Sequence, residues 1–174
     1  MRFLSVESID KHKDYLKTLN LRYSILKKSV GALNGKSFKE IYGMRLDRDI
    51  KREALELLYE IEMHNIYFSS FSPDKSYISS LKIREQYKNE ANFLNSVYKA
   101  ALKINHGFLL LFCDGKGICI AEGNMDKLLF GFGKPMLALD MCEHCYYTDY
   151  GFNKKEYLLN AIPALKLNIF DTEK

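Results

Sequence analysis

The sequence predicts an α+β fold: an N-terminal long α-hairpin, then a C-terminal lobe with helices around a small three-stranded antiparallel sheet. Three observations carry that expectation. Apolar residues recur at helical spacing through the first 70 or so positions. The period then changes at Gly107, where the continuous apolar run Gly107-Phe108-Leu109-Leu110-Leu111-Phe112-Cys113 begins. Helices first and strands afterwards is the order of a segregated α+β protein. The expected division is residues 1–73 for the α-hairpin and 74–174 for the α/β lobe.

In chain order, Ile9, Leu16, Leu19, Tyr23, Leu26 and Val30 mark a first helix from Ser8 to about Leu33, with Ser8 and Asp10 as capping candidates. Gly35-Lys36-Ser37 breaks it. Gly31 stands one residue too close for a phosphate-binding G-x4-G-K-S loop. A second long helix is expected from Asp47 to Phe71, with Asp47 and Asp49 on the turn where the helix dipole favours negative charge. Leu55, Leu58, Ile61, Ile66 and Phe68 form its apolar stripe, and Ser72-Pro73-Asp74 ends it. Helical signals continue to a run from Asn89 to Ile104. The strand at Gly107–Cys113 follows, then a turn at Asp114-Gly115-Lys116-Gly117 and a return strand at Ile118–Ala121. Lys134 to Asp140 is a third strand, and Asn153 to Leu165 a closing helix disturbed by Pro163.

Composition limits the function. The chain has 174 residues, enough for one sizeable core. A net charge of +4 suits a small anionic ligand and does not point to nucleic acid. No apolar run approaches the length of a membrane span. The first residues lack the apolar core of a signal peptide, so a cytoplasmic protein is expected, with its four cysteines reduced.

The stretch with chemistry in it is Met136 to Tyr150. An apolar strand stops on Asp140, and His144 follows four residues later. That places a carboxylate at a strand end and an imidazole one short turn on. Iron, manganese and zinc accept such a mixed oxygen and nitrogen set.

Asp140-Met141-Cys142-Glu143-His144-Cys145-Tyr146-Tyr147, followed by Asp149-Tyr150, resembles the C-terminal signature D-x-W-E-H-A-Y-Y of the iron/manganese superoxide dismutases. Met63-His64-Asn65-Ile66-Tyr67-Phe68 is similar to that family's second-helix motif N-H-x-x-F-W. The resemblance implies dismutation of superoxide at one iron or manganese ion per chain, held by His64, Asp140, His144 and a histidine of the first helix. That histidine is not found by register. The family pattern is a His, a His pair four residues later, then a Tyr. Aligning its Tyr on Tyr23 puts Tyr15 at the ligand position, and aligning it on Tyr15 puts Glu7 there. Glu7, His12, Tyr15 or water are the candidates for the fourth ligand. His12, between Lys11 and Lys13, reads as an exposed helix residue. With three protein ligands the ion is expected to be weakly held.

By the same resemblance Tyr23 or Tyr15 gates the approach of superoxide. Glu143 reaches across a two-fold axis to His144 of a second copy, with Tyr147 on that interface, giving a homodimer. Departures are visible too. Glu60 stands where the family has a glutamine beside the metal. Phe108, Leu110 and Cys142 replace its tryptophans. Cys142 and Cys145 around Glu143-His144 leave a less favoured zinc set with His64 and His144. A homologue that keeps the fold, loses catalysis and serves as an interaction subunit is the alternative function.

Overall fold

The computed structural model describes residues 3–72, 80–113, 117–125 and 133–172. The expected division at residues 73 and 74, and Asp114-Gly115-Lys116 of the expected turn, lie outside the described residues.

Helix α1 spans Val6–Ser29. Its cap is Ser5, whose side chain accepts from Ser8 N, so the start falls earlier than Ser8 and Asp10 suggested. Ser8, His12, Leu19 and Tyr23 are its buried residues, one stripe along the helix. A 3₁₀ turn at Gly31–Leu33 follows. The short helix α2, Phe38–Gly43, is fixed by a capping box between Ser37 and Glu40. Helix α3, Arg48–Ser69, starts at Asp47, which accepts from Asp49 N and Ile50 N. It packs antiparallel on α1 to make the hairpin.

In the second lobe α4 is Leu81–Tyr87 and α5 is Glu90–Ala101, capped by Ser80 and Asn89. Asp171 accepts from Ser80 Oγ, Leu81 N and Lys82 N, tying the chain's end to the start of α4. Strands β1 (Phe108–Cys113), β2 (Ile118–Glu122) and β3 (Leu137–Asp140) form an antiparallel sheet in the order β2-β1-β3. Phe108 to Phe112 are all buried, as a central strand covered on both faces requires. The register pairs Phe108 with Asp140 and Leu111 with Leu137. Helix α6, Glu143–Tyr150, and helix α7, Lys154–Ala161, complete the lobe. The closing helix stops earlier than Leu165 because Pro163 sits in a separate 3₁₀ turn, Ile162–Ala164.

Two joints bring the lobes together. Ser70, at the end of α3, accepts from Ala138 N of β3 at 2.8 Å, and its carbonyl accepts from Lys166 N. Ser5 N, at the start of α1, donates to Asp149 Oδ2 of α6 at 2.8 Å. The first joint aligns α3 with the strand that ends on Asp140. The second aligns α1 with the helix that carries His144.

Candidate metal centre

Four side chains from four elements converge at the junction: His12 of α1, His64 of α3, Asp140 at the end of β3 and His144 of α6. Each offers one donor atom, and these atoms lie within 4.8 Å of one another. Asp140 Oδ2 is 3.1 Å from His12 Nε2, 3.1 Å from His144 Nε2 and 3.7 Å from His64 Nε2. His12, His64 and Asp140 are buried, whereas the His144 side chain is 36% exposed and forms the open edge.

Close as they are, these atoms interact by charge but form no well-aligned hydrogen bond with one another. His12 Nε2, His64 Nε2 and Asp140 Oδ2 are buried without a hydrogen-bond partner. Orphaned buried polar atoms are costly and rare. Three of them aimed at one point fit a cation: two donors each about 2.1 Å from an ion stand about 3.0 Å apart at a right angle. The His12 and His144 distances to Asp140 match that, and the 3.7 Å to His64 corresponds to a wider angle. The 4.8 Å span exceeds the about 4.2 Å open to two donors on opposite sides of one ion, so the widest pair must draw in to share it. Three imidazoles and a carboxylate suit iron, manganese or zinc by donor type.

The surroundings fix the donors. His64 Nδ1–H donates to the Glu60 carbonyl at 2.6 Å, which leaves Nε2 as the unprotonated nitrogen facing the cluster. Cys142 N donates to Asp140 Oδ1, leaving Oδ2 for the centre. Tyr67 and Phe68 flank the His12 ring at 4.9 and 5.0 Å, and Phe108 packs on His64 at 5.2 Å. Burial alone would raise the Asp140 carboxyl. The His12 and His144 imidazoles outweigh it and hold the group well below the usual carboxylate range. Burial pulls His64 down to about 4, against Asp140. Burial acts the same way on His144, but there Asp140 prevails and the net shift is upward. Glu60 is pushed up to about 6 by burial, with Asp140 adding to it.

His64, Asp140 and His144 thus meet at one point, and the fourth donor is His12. The expected exposed surface histidine is 1% exposed. The signal was its phase: His12 lies four residues before Leu16 and seven before Leu19, on the apolar stripe. Lysines on both sides obscured it, because neighbours in sequence face different sides of a helix. The set therefore has four protein donors, and the argument for a weakly held ion from three is removed.

Tyr23 does not line the cluster. It lies eleven residues beyond His12, about 16 Å along the axis, with Lys27 Nζ over its ring. Tyr15 does: its ring is 4.8 Å from His144 and 5.3 Å from His64, and it is 40% exposed. Glu143 is exposed on the first turn of α6. The zinc set with two cysteines is not assembled. Cys142 Sγ accepts from Gly107 N and touches His106, whereas Cys145 Sγ lies between Tyr67 and Tyr157.

An α-hairpin docked on a small α/β lobe, with three histidines and an aspartate at the junction, defines a class of two-part protein whose junction could hold a metal ion. A model of the iron/manganese superoxide dismutases, C-terminal domain, matches residues 76–170. The match covers more than half of the chain, and the chain belongs to the iron/manganese superoxide dismutase family. Asp140 and His144 fall inside the matched stretch, His12 and His64 before it. No curated protein matches the chain.

Proposed function

We propose that the chain is a superoxide dismutase holding one iron or manganese ion through His12, His64, Asp140 and His144. The observation that carries this is the convergence of four donors, three of which, His12 Nε2, His64 Nε2 and Asp140 Oδ2, are buried without a hydrogen-bond partner. When bound, the ion supplies one-electron redox chemistry, taking an electron from one superoxide and giving one to the next. The chain's own part is to bind, orient and exclude water. Asp140 supplies the buried negative charge, and the Glu60 carbonyl sets the His64 tautomer. Phe108, Phe68 and Tyr67 keep the inner side dry. Tyr15 and the exposed edge of His144 flank the approach for a small anion. The same reading takes the protein as a cytoplasmic homodimer joined at Glu143, His144 and Tyr147.

The test is metal analysis of purified protein together with a superoxide-consumption assay. Near-stoichiometric iron or manganese with activity supports the proposal. Bound metal without activity favours the second reading, a metal-holding homologue that is no dismutase. Glu60 favours that second reading: its carboxylate Oε2 lies 3.7 Å from His64 Nδ1, where the family places a neutral amide. A second carboxylate adds negative charge beside the centre and opposes an incoming anion. Glu60→Gln separates the two, because it restores activity only where the carboxylate is what suppresses it.

A further inference from the structure

The histidines of the centre are held in different ways. His64 is fixed by a bond of its own ring, Nδ1–H to the Glu60 carbonyl. His12 has no such bond: its Nδ1 is buried without a hydrogen-bond partner. Ring packing against Tyr67 and Phe68 limits its tilt. Where its donor atom stands therefore depends on where the first turns of α1 are docked. They are docked by the far end of α6. Asp149 Oδ2 accepts from Ser5 N, the cap of α1, at 2.8 Å. Burial would raise the Asp149 carboxyl, yet hydrogen bonds from Ser5 and Ser8 outweigh it and hold the group below its ordinary value. The carboxylate also stands at the positive end of the α1 dipole. Beside it, the Tyr150 hydroxyl donates to the Phe3 carbonyl, and the Phe3 ring packs 4.5 Å from Phe71. Ser8 is 1% exposed and lies one turn before His12 on the same buried stripe. Helix α6 thus carries His144 near its start and grips the turn below His12 at its end.

We propose that Asp149, assisted by Tyr150, is a positioning residue for His12: its clasp on the start of α1 sets His12 Nε2 against Asp140 Oδ2 and so couples the docking of α1 to retention of the ion. The inference rests on the metal reading above. Asp149 touches neither the ion's donors nor the approach to them, and it acts only through the placement of α1. Coupling of this kind is reciprocal: the factor by which the clasp raises affinity for the ion is the factor by which the ion favours the closed clasp. Asp149 and Ser5 are exposed, so water and salt weaken the charge-assisted bond between them. The expected effect is therefore several-fold, and smaller than that of removing His12 itself.

The test is a double-mutant cycle on the full chain, with manganese affinity measured by competition against a chelator. Asp149→Ala should lower affinity several-fold. Tyr150→Phe, which keeps the ring and loses only the bond to Phe3, should lower it less. In a His12→Ala background, Asp149→Ala should change affinity no further. A residue that only stabilised the fold would lower affinity by the same factor in both backgrounds. Hydrogen exchange gives a second readout: amides of residues 8–12 should exchange several-fold faster in Asp149→Ala, and manganese should slow them in the wild type. Unchanged affinity in Asp149→Ala, or an equal loss with and without His12, overturns the proposal. If the wild type binds neither manganese nor iron, the metal reading is overturned and exchange in the metal-free protein decides the clasp. Faster exchange at residues 8–12 in Asp149→Ala then supports it, and unchanged exchange overturns it.

Discussion

His12 Nε2 lies 3.1 Å from Asp140 Oδ2, with both side chains fully buried. Imidazoles facing this buried carboxylate favour its charged form against burial, and each one matters to it. Removing one partner of a buried charged group costs on the order of 3–5 kcal/mol when the other charge stays behind. His12→Ala is therefore expected to destabilise the metal-free protein by about 3 kcal/mol, read by urea unfolding. The same variant should weaken metal retention by at least about tenfold, read by metal analysis after dialysis against a chelator. Full retention would remove His12 from the ligand set.

Acid should release the ion, and the two shifted histidines fix how. Metal binding needs neutral imidazoles. Burial keeps His64 neutral until about 4, so it releases no proton on binding at neutral pH. Asp140 raises His144 in spite of burial, so His144 holds a proton at pH values where an ordinary histidine has begun to lose it. As pH falls through the raised value, the proton occupies the nitrogen that the ion needs, and affinity falls with it. Calorimetric titration with manganese in two buffers of different ionisation heat measures the protons released. His144→Gln should abolish the loss of affinity that begins above the usual histidine pKa of about 6.5. An affinity flat from pH 8 to about 5 contradicts the assignment.

The fold was largely legible because its signals are local. Helical period, the change to a continuous apolar run at Phe108 and the capping residues Asp47 and Ser37 all act within a few positions. His64, Asp140 and His144 were legible from motif context. His12 and Tyr15 were legible only as alternatives among others, because what brings them to the site is the packing of α1 against α3 and α6. The contacts that set that packing are distant in sequence: Ser5 to Asp149 and Ser70 to Ala138. A register argument along one helix finds neither. Placing the family pattern on His12 puts Leu16, Lys17 and Asn20 where a histidine pair and a tyrosine are expected, so pattern and geometry disagree on this helix.

Tyr15 should behave as the site's tyrosine and Tyr23 should not. Tyr15 lies one turn from His12, its ring against His64 and His144 and its edge in solvent. Burial raises its hydroxyl, with Glu60 adding to the shift, so it remains a phenol rather than a phenolate across the working range. Tyr15→Phe is expected to lower the maximal superoxide turnover several-fold at unchanged metal content. Tyr23→Phe is expected to leave turnover unchanged. Steady-state turnover by pulse radiolysis reads both, and the reverse ranking would return the role to Tyr23.

The proposed homodimer would rest on one face of the second lobe. Tyr147 is 50% exposed and Phe152 77% exposed, and their rings meet edge to face at 5.1 Å. Glu143 and the open edge of His144 share the helix that carries Tyr147. An apolar pair beside a carboxylate and an imidazole has the makings of a self-complementary patch, since a two-fold axis makes each contact twice. A stable interface buries about 800 Å² per partner, so the two aromatic rings are an anchor and not the whole surface. Phe152→Asp places a charge in that anchor and is expected to shift micromolar protein to the monomer in sedimentation. Glu143→Ala acts differently: if Glu143 holds the partner's histidine, as proposed, the variant should lower metal retention several-fold while dimer still forms at high concentration. A wild-type protein that sediments as a monomer, or a Phe152→Asp variant that stays dimeric, would move the interface elsewhere and leave His144 to be oriented within its own chain.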